Sequence, residues 1–238
     1  MQTALSLLYP PQCVSCGDLV DTDFGLCGAC WRHTPFIEGL VCDLCGCPLP
    51  GEGDGEVVHC DDCMQTDRPW SHGRSALIYK ANARRIVLSL KHGDRTDLAR
   101  PAAGWMARAV KPILQEEAVF VPIPSHWTRL FQRRYNQAAE LAKALSGRLG
   151  MGYMPDALIR PRRTQVHDGL SSDDRFSNMQ DAIRPHPKRG ALIAGRDIVL
   201  VDDVMTSGAT FTAAARACHT ADARSVCVLS LARVVKGG

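Results

Sequence analysis

Four Cys-x-x-Cys pairs are the first residues whose spacing implies chemistry: Cys13-Cys16, Cys27-Cys30, Cys42-Cys45 and Cys60-Cys63. Each suits a knuckle, a tight turn presenting two thiolates to one ion, and two knuckles complete a tetrahedral site with no open position. Gly17, Gly28 and Gly46 lie just after or inside the pairs, where such turns need a permissive backbone. Taken in order, the pairs predict two structural Zn2+ sites in tandem ribbons. One has Cys13, Cys16, Cys27 and Cys30 as ligands, the other Cys42, Cys45, Cys60 and Cys63. Cross-braced pairing, first with third and second with fourth, stays open. A thioredoxin-like redox pair is disfavoured, because no βαβ pattern surrounds the motifs. Cys47 is left over and His59 adjoins Cys60; both read as spectators. A closed four-thiolate site offers no catalytic position, so the zinc acts as a staple for about sixty residues poor in large apolar side chains.

A second constellation lies near the C-terminus, in Val199-Leu-Val-Asp202-Asp203-Val-Met-Thr206-Ser207-Gly208-Ala209-Thr210. An apolar strand runs into two adjacent carboxylates, then a small hydroxyl-rich loop, then a helix start. Backbone N–H groups at a helix N-terminus can surround a phosphate, aided by the helix dipole. Gly208 permits close backbone approach, and Thr206, Ser207 and Thr210 add hydroxyl donors. The paired carboxylates suit vicinal hydroxyls or a hydrated Mg2+. A helix cap alone would need one such residue rather than this cluster. A P-loop is excluded, because the Gly-Lys-Ser/Thr element is absent.

The elements that must position these groups follow from periodicity. Ser75–Tyr79 and Ala118–Ile123 read as strands, Ala157–Ile159 as a weak strand, and Asp197–Val201 as a strand covered on both faces. Asn82–Lys91, Leu98–Leu114, Tyr135–Leu149 and Ala209–Thr220 read as helices, and Ser225–Leu231 as a final strand. Strand–helix–strand repetition predicts an α/β fold, a parallel sheet with helices on both faces and right-handed crossovers. Ligands of such sheets sit at the carboxyl ends of the strands, where the Asp202–Thr210 loop lies. The expected organisation is a zinc-ribbon module over residues 1–66 and an α/β domain over 74–238. Met64–Gly73 is read as the linker between them.

Composition divides the same way. Nine of the eleven cysteines fall between Cys13 and Cys63, in a pattern that argues for metal rather than disulfides. Residues 1–63 carry ten acids and one base, Arg32, for a net charge of −9. Residues 64–238 carry 27 bases and 15 acids, for +12. The basic part is therefore the anion-binding half. The apolar run Ala4–Tyr9 is too short to span a bilayer and lacks the flanks of a signal peptide. It is read as a short segment packing against the residues C-terminal to it. A cytoplasmic protein without membrane insertion is expected, in a reducing compartment that keeps the thiols free for metal.

The Asp202–Thr210 segment resembles the phosphoribosyl pyrophosphate (PRPP) motif of type I phosphoribosyltransferases. With the cysteine-rich head, nearly the whole chain resembles the ComF family of competence-associated proteins, which join a double zinc ribbon to a phosphoribosyltransferase-like domain. Leu90-Lys91-His92-Gly93-Asp94 is similar to the family's Lys-x-Gly-Asp segment, and Arg133-Arg134-Tyr135-Asn136-Gln137 to its Arg-Gly-Phe-Asn-Gln. Val121-Pro-Ile-Pro124-Ser125-His126 sits where the family has its pyrophosphate loop. Arg160, Arg162, Thr164, Gln165, Leu170, Arg175 and Asn178 track its Arg-rich mobile loop.

The resemblance implies that Asp202 and Asp203 hold the ribose hydroxyls of PRPP, and that Thr206, Ser207, Gly208, Ala209 and Thr210 hold its 5′-phosphate. It also implies that Ser125, His126, Arg129 and Lys91 hold the pyrophosphate with Mg2+. This chain departs from the pattern at Arg134, where the family has Gly, and at Ala209, where some members have Lys. It departs again at Thr206, where purine-salvage relatives carry an Asp base. The implied role is a PRPP-binding protein linked to DNA uptake and single-stranded DNA handling. The basic clusters at 129–134, 160–163 and 184–189 would form the DNA groove. The alternative is an active phosphoribosyltransferase with an unknown acceptor. The acidic zinc head, with its closed sites, suits contact with a protein partner.

Overall fold

The computed structural model describes residues 10–53, 55–92, 95–128, 134–162, 176, 179 and 181–235. Ala4–Tyr9, Gly93, Asp94, Arg129, Arg133 and nearly all of the expected mobile loop after Arg162 lie outside the described residues.

Five parallel strands form the main sheet. They are β1 (His72–Ile78), β2 (Val119–Pro122), β3 (Gly152–Tyr153), β6 (Asp197–Met205) and β7 (Ser225–Arg233), in the order β1-β7-β6-β2-β3. The helices are α1 (Gly28–Arg32), α2 (Asp61–Gln65), α3 (Ala81–His92), α4 (Ala99–Val110), α5 (Gln137–Leu149) and α6 (Ala209–Thr220). The apolar run of β6 faces two ways. Val199 and Val201 join a core with Leu90 of α3, Met106 of α4 and Leu141 of α5. Ile198 and Leu200 join a second core on the other face, with Phe211 and Ala215 of α6. A continuous hydrophobic strand is what a sheet covered on both faces requires.

Two elements differ from the sequence reading. Leu158–Ile159 (β4) does not join the main sheet; it pairs antiparallel with Arg184–Pro185 (β5) in a small separate sheet against α6. The fifth main-sheet strand is instead Gly152–Tyr153. It forms because α5 stops at Gly150 in the left-handed conformation (φ 67°), which turns the chain back beside Val119 and Phe120. Two residues, one of them glycine, carry too little alternation to be read as a strand.

The larger difference concerns the cysteine-rich head, which straddles the β1 edge of the sheet. Val14 of the first ribbon enters the core beside α3–α5, and Cys42, Cys45 and Cys63 of the second enter the core beside α6. Between them, residues 35–37 cover the outer edge of β1: Ile37 N–H donates to Ala76 O (3.0 Å) and Ile78 N–H to Pro35 O (2.9 Å). An edge strand is thereby closed to further pairing. Nor is 64–73 a spacer. Arg68 and Trp70 are buried, and the Trp70 indole donates to Leu44 O at 2.6 Å. Among the described residues no helix is long and apolar enough to cross a membrane.

Candidate functional site

The four knuckles pair in sequence order. The sulfurs of Cys13, Cys16, Cys27 and Cys30 lie within 4.8 Å of one another, as do those of Cys42, Cys45, Cys60 and Cys63. Four thiolates about 2.3 Å from one zinc ion stand about 3.8 Å apart at tetrahedral angles. The Sγ···Sγ separations of Cys16–Cys27 and Cys45–Cys60, both 3.6 Å, fit that ion. Gly17 and Gly46 take positive φ (85° and 65°), as their knuckles require, whereas Gly28 opens α1 with ordinary backbone. The cross-braced alternative is not what the fold builds. Cys47 stays outside the second quartet, its thiol on Pro48 O, and His59 is also outside. The zinc in these closed sites is structural.

The second site lies at the carboxyl ends of β6 and β2. Asp203 is buried and paired with Lys91 Nζ at 3.0 Å, at the end of α3. Asp202 is half-buried, and its Oδ1 accepts from Asp203 N–H at 2.8 Å. Burial, and next the Asp203 charge, push the Asp202 carboxyl up to about 7, against the pull of Lys91 and Arg160. The carboxylate pair is thus under-neutralised, the condition in which a cation or a set of hydroxyl donors binds well.

The loop after the pair turns at Gly208 (φ 84°) into α6. The amides of Ser207, Gly208 and Thr210 meet no backbone acceptor among the described residues, while Ala209 N–H makes a long contact with Ser207 Oγ (3.5 Å). Thr206 is exposed, and Ser207 and Thr210 are half-exposed. A row of open amides at a helix N-terminus is an anion seat.

The third part is the loop after β2. Ile123 N–H bonds Val201 O (2.9 Å), which sets Ser125 and His126 beside the Asp202 turn. Asn136 fixes this loop. Its amide donates to Ile123 O (2.9 Å), and its Oδ1 accepts from Ser125 Oγ (3.2 Å) and from Ala138 N–H (3.2 Å), capping α5. Tyr135 OH donates to Leu90 O (2.6 Å) and Gln137 to Lys91 O (3.4 Å), holding the end of α3. The Tyr135-Asn136-Gln137 triplet therefore ties Lys91 and Ser125 to one helix start. Arg134 takes a left-handed φ of 63°, the conformation a glycine would adopt freely. His126 is buried, with Nδ1 engaged by Thr128. Of the eleven residues expected at this site, ten lie at these three neighbouring segments, and Arg129 falls outside the described residues.

Residues 4–64 match the double zinc ribbon domain, and residues 136–236 match the phosphoribosyl transferase domain. The chain is similar to the DNA utilization protein YhgH of Salmonella typhi, 27% identical over 96% of this chain and 100% of the relative. It is similar to competence protein F of Haemophilus influenzae, 25% identical over 93% of this chain and 96% of the relative. Competence protein ComFC of Bacillus subtilis is 25% identical over 83% and 79%. Over most of its length the chain is similar to proteins of the ComF type. The two matched domains share one packed structure, because the ribbons enter both cores of the transferase-like sheet.

Proposed function

We propose that this chain binds PRPP with Mg2+ in the crevice at the ends of β6 and β2. The observation that carries this is the carboxylate pair Asp202–Asp203 standing directly before the open amides of Ser207, Gly208 and Thr210. The ribose hydroxyls would donate to Asp202 and Asp203, the 5′-phosphate would sit on the 206–210 amides, and the pyrophosphate would lie over Ser125 and His126. Lys91, now on Asp203, is a cation within reach of that pyrophosphate. Mg2+, for which the Asp202–Asp203 carboxylates are oxygen donors, would supply the remaining neutralisation. Thr206 offers a hydroxyl where a purine acceptor would need a carboxylate base, so binding is favoured over purine transfer. Equilibrium dialysis of PRPP with Mg2+ tests this: retention by wild type, lost in folded Asp202→Ala/Asp203→Ala, is expected. No retention by zinc-loaded wild type would refute it.

The relatives named for competence and DNA utilization support a role in handling incoming DNA, and one feature favours single strands as the second ligand. Pairing of Ile159 with Arg184 brings Arg160, which directly follows β4, to the same small sheet as Arg184. Beside it a groove of about 970 Å3 runs along α6, with Arg184, His186 and Arg216 on its rim over apolar Ile183 and Ala213. Single-stranded DNA would follow these cations. Arg184→Ala plus Arg216→Ala should weaken binding and flatten the salt dependence by about 1.4 in slope, two phosphates' worth. An unchanged slope would remove this groove from the account.

A further inference from the structure

Arg68 and Arg233 are buried, 8% and 3% exposed, and neither meets a carboxylate among the described residues. Their Nη1 atoms go instead to backbone carbonyls at the end of β6. Arg68 donates to Ser207 O at 2.8 Å, and Arg233 donates to Met205 O at 3.2 Å, to Thr206 O and to Val234 O. Three successive carbonyls, of Met205, Thr206 and Ser207, are therefore held toward the protein interior. In a trans peptide the C=O and the following N–H point in opposite directions. Holding these carbonyls inward turns the amides of Thr206, Ser207 and Gly208 outward, which is the orientation an anion needs. Gly208 shows how closely the clamp fits: a Cβ there would stand 2.7 Å from Arg68 Nη1.

Arg68 is linked by packing to the second four-cysteine site. Arg68 follows Cys63 in the chain and lies over Trp70, 5.5 Å from the ring centroid, and Trp70 is bonded to Leu44 O inside the Cys42–Cys45 knuckle.

We propose that Arg68 and Arg233 are positioning residues that hold the 205–208 loop in its phosphate-accepting form, and that through Arg68 phosphate binding depends on metal in the second four-cysteine site. The proposal rests on the reading of 206–210 as the phosphate seat, and it gives the zinc head a task in ligand binding rather than in folding alone.

The test uses the full zinc-loaded chain with two readouts. The first needs no ligand: 15N order parameters of Ser207 and Gly208, expected near 0.85 in wild type and below about 0.6 in Arg68→Ala. The second is calorimetry with ribose 5-phosphate and with inorganic pyrophosphate. Arg68→Ala should lose about tenfold in affinity for ribose 5-phosphate and none for pyrophosphate, which sits on the other loop. Arg68→Lys should recover part of the loss. Cys60→Ser, removing a ligand of the second site, should behave as Arg68→Ala does, and Cys16→Ser in the first site as wild type. Unchanged order parameters and ribose 5-phosphate affinity in Arg68→Ala would overturn the clamp. Equal effects of Cys16→Ser and Cys60→Ser would overturn its dependence on the second metal. If wild type binds neither ligand, the phosphate reading fails, and the order parameters alone decide the clamp.

Discussion

Gly73→Ala should separate the second ribbon from the sheet. Gly73 opens β1 directly under the Cys42–Cys45 knuckle. A Cβ on it would stand 2.9 Å from the Leu44 carbonyl carbon and 2.9 Å from Val228 Cγ2, with the Leu44 oxygen closer still. The Leu44 atoms are backbone, in a segment already tied by Gly73 N–H to Asp43 O (2.7 Å) and by the Arg74–Asp43 ion pair (2.8 Å), so they cannot simply rotate away. Overpacking a tight contact costs about 1–3 kcal/mol, and a backbone-to-backbone clash belongs at the upper end, about 3 kcal/mol. For a chain of this length that is a loss of about 6–12 °C in Tm. Calorimetric melting with zinc quantified before and after is the assay. Gly147→Ala is the control: it lies in α5 with open space around it, and should gain about 0.5–1 kcal/mol. If Gly73→Ala melted with wild type and kept both zinc ions, the head would be a tethered module and the packing described here would be wrong.

The remaining predictions concern the crevice. Asp202, with its carboxyl raised to about 7, binds more protons folded than unfolded between about pH 4 and 7, so the ligand-free chain should lose stability as pH rises across that window. Ribose hydroxyls need the ionised form, so PRPP affinity should rise about tenfold from pH 6 to pH 8, and Asp202→Asn should remove that part of the profile in calorimetry. Arg134→Gly should stabilise by about 1 kcal/mol in urea denaturation, by relieving a left-handed φ of 63° in a residue with a Cβ. Asn136→Ala should destabilise by about 1–2 kcal/mol, because it removes a helix cap and the tie to Ile123 O together. No effect of Asn136→Ala on either stability or pyrophosphate binding would contradict its role at the loop.

What could be read from the sequence was what local chemistry determines. Cysteines two residues apart form knuckles wherever they occur, but which knuckles share an ion stayed open until the fold brought chain neighbours together. The Asp202–Thr210 junction is also local: an apolar strand, two carboxylates and a helix start need no tertiary knowledge. The arginine clamp could not be read this way. Arg68 bonds Ser207 across 139 residues, and Arg233 lies at the end of a strand whose periodicity says only that it is buried. A tryptophan two residues beyond Arg68 was the one local signal, since a large apolar ring seldom sits in a free linker. β4 misled because a short apolar run specifies extended backbone but not its partner, and its partner, Arg184–Pro185, shows no strand pattern.

The central claim is that a phosphate rests on the amides after Asp203. Titrating PRPP with Mg2+ into 15N-labelled protein observes those amides directly. The account predicts large, saturable shifts at Ser207, Gly208, Ala209 and Thr210, reproduced by ribose 5-phosphate but not by pyrophosphate. Shifts confined to other segments, or none at saturating PRPP, would contradict it.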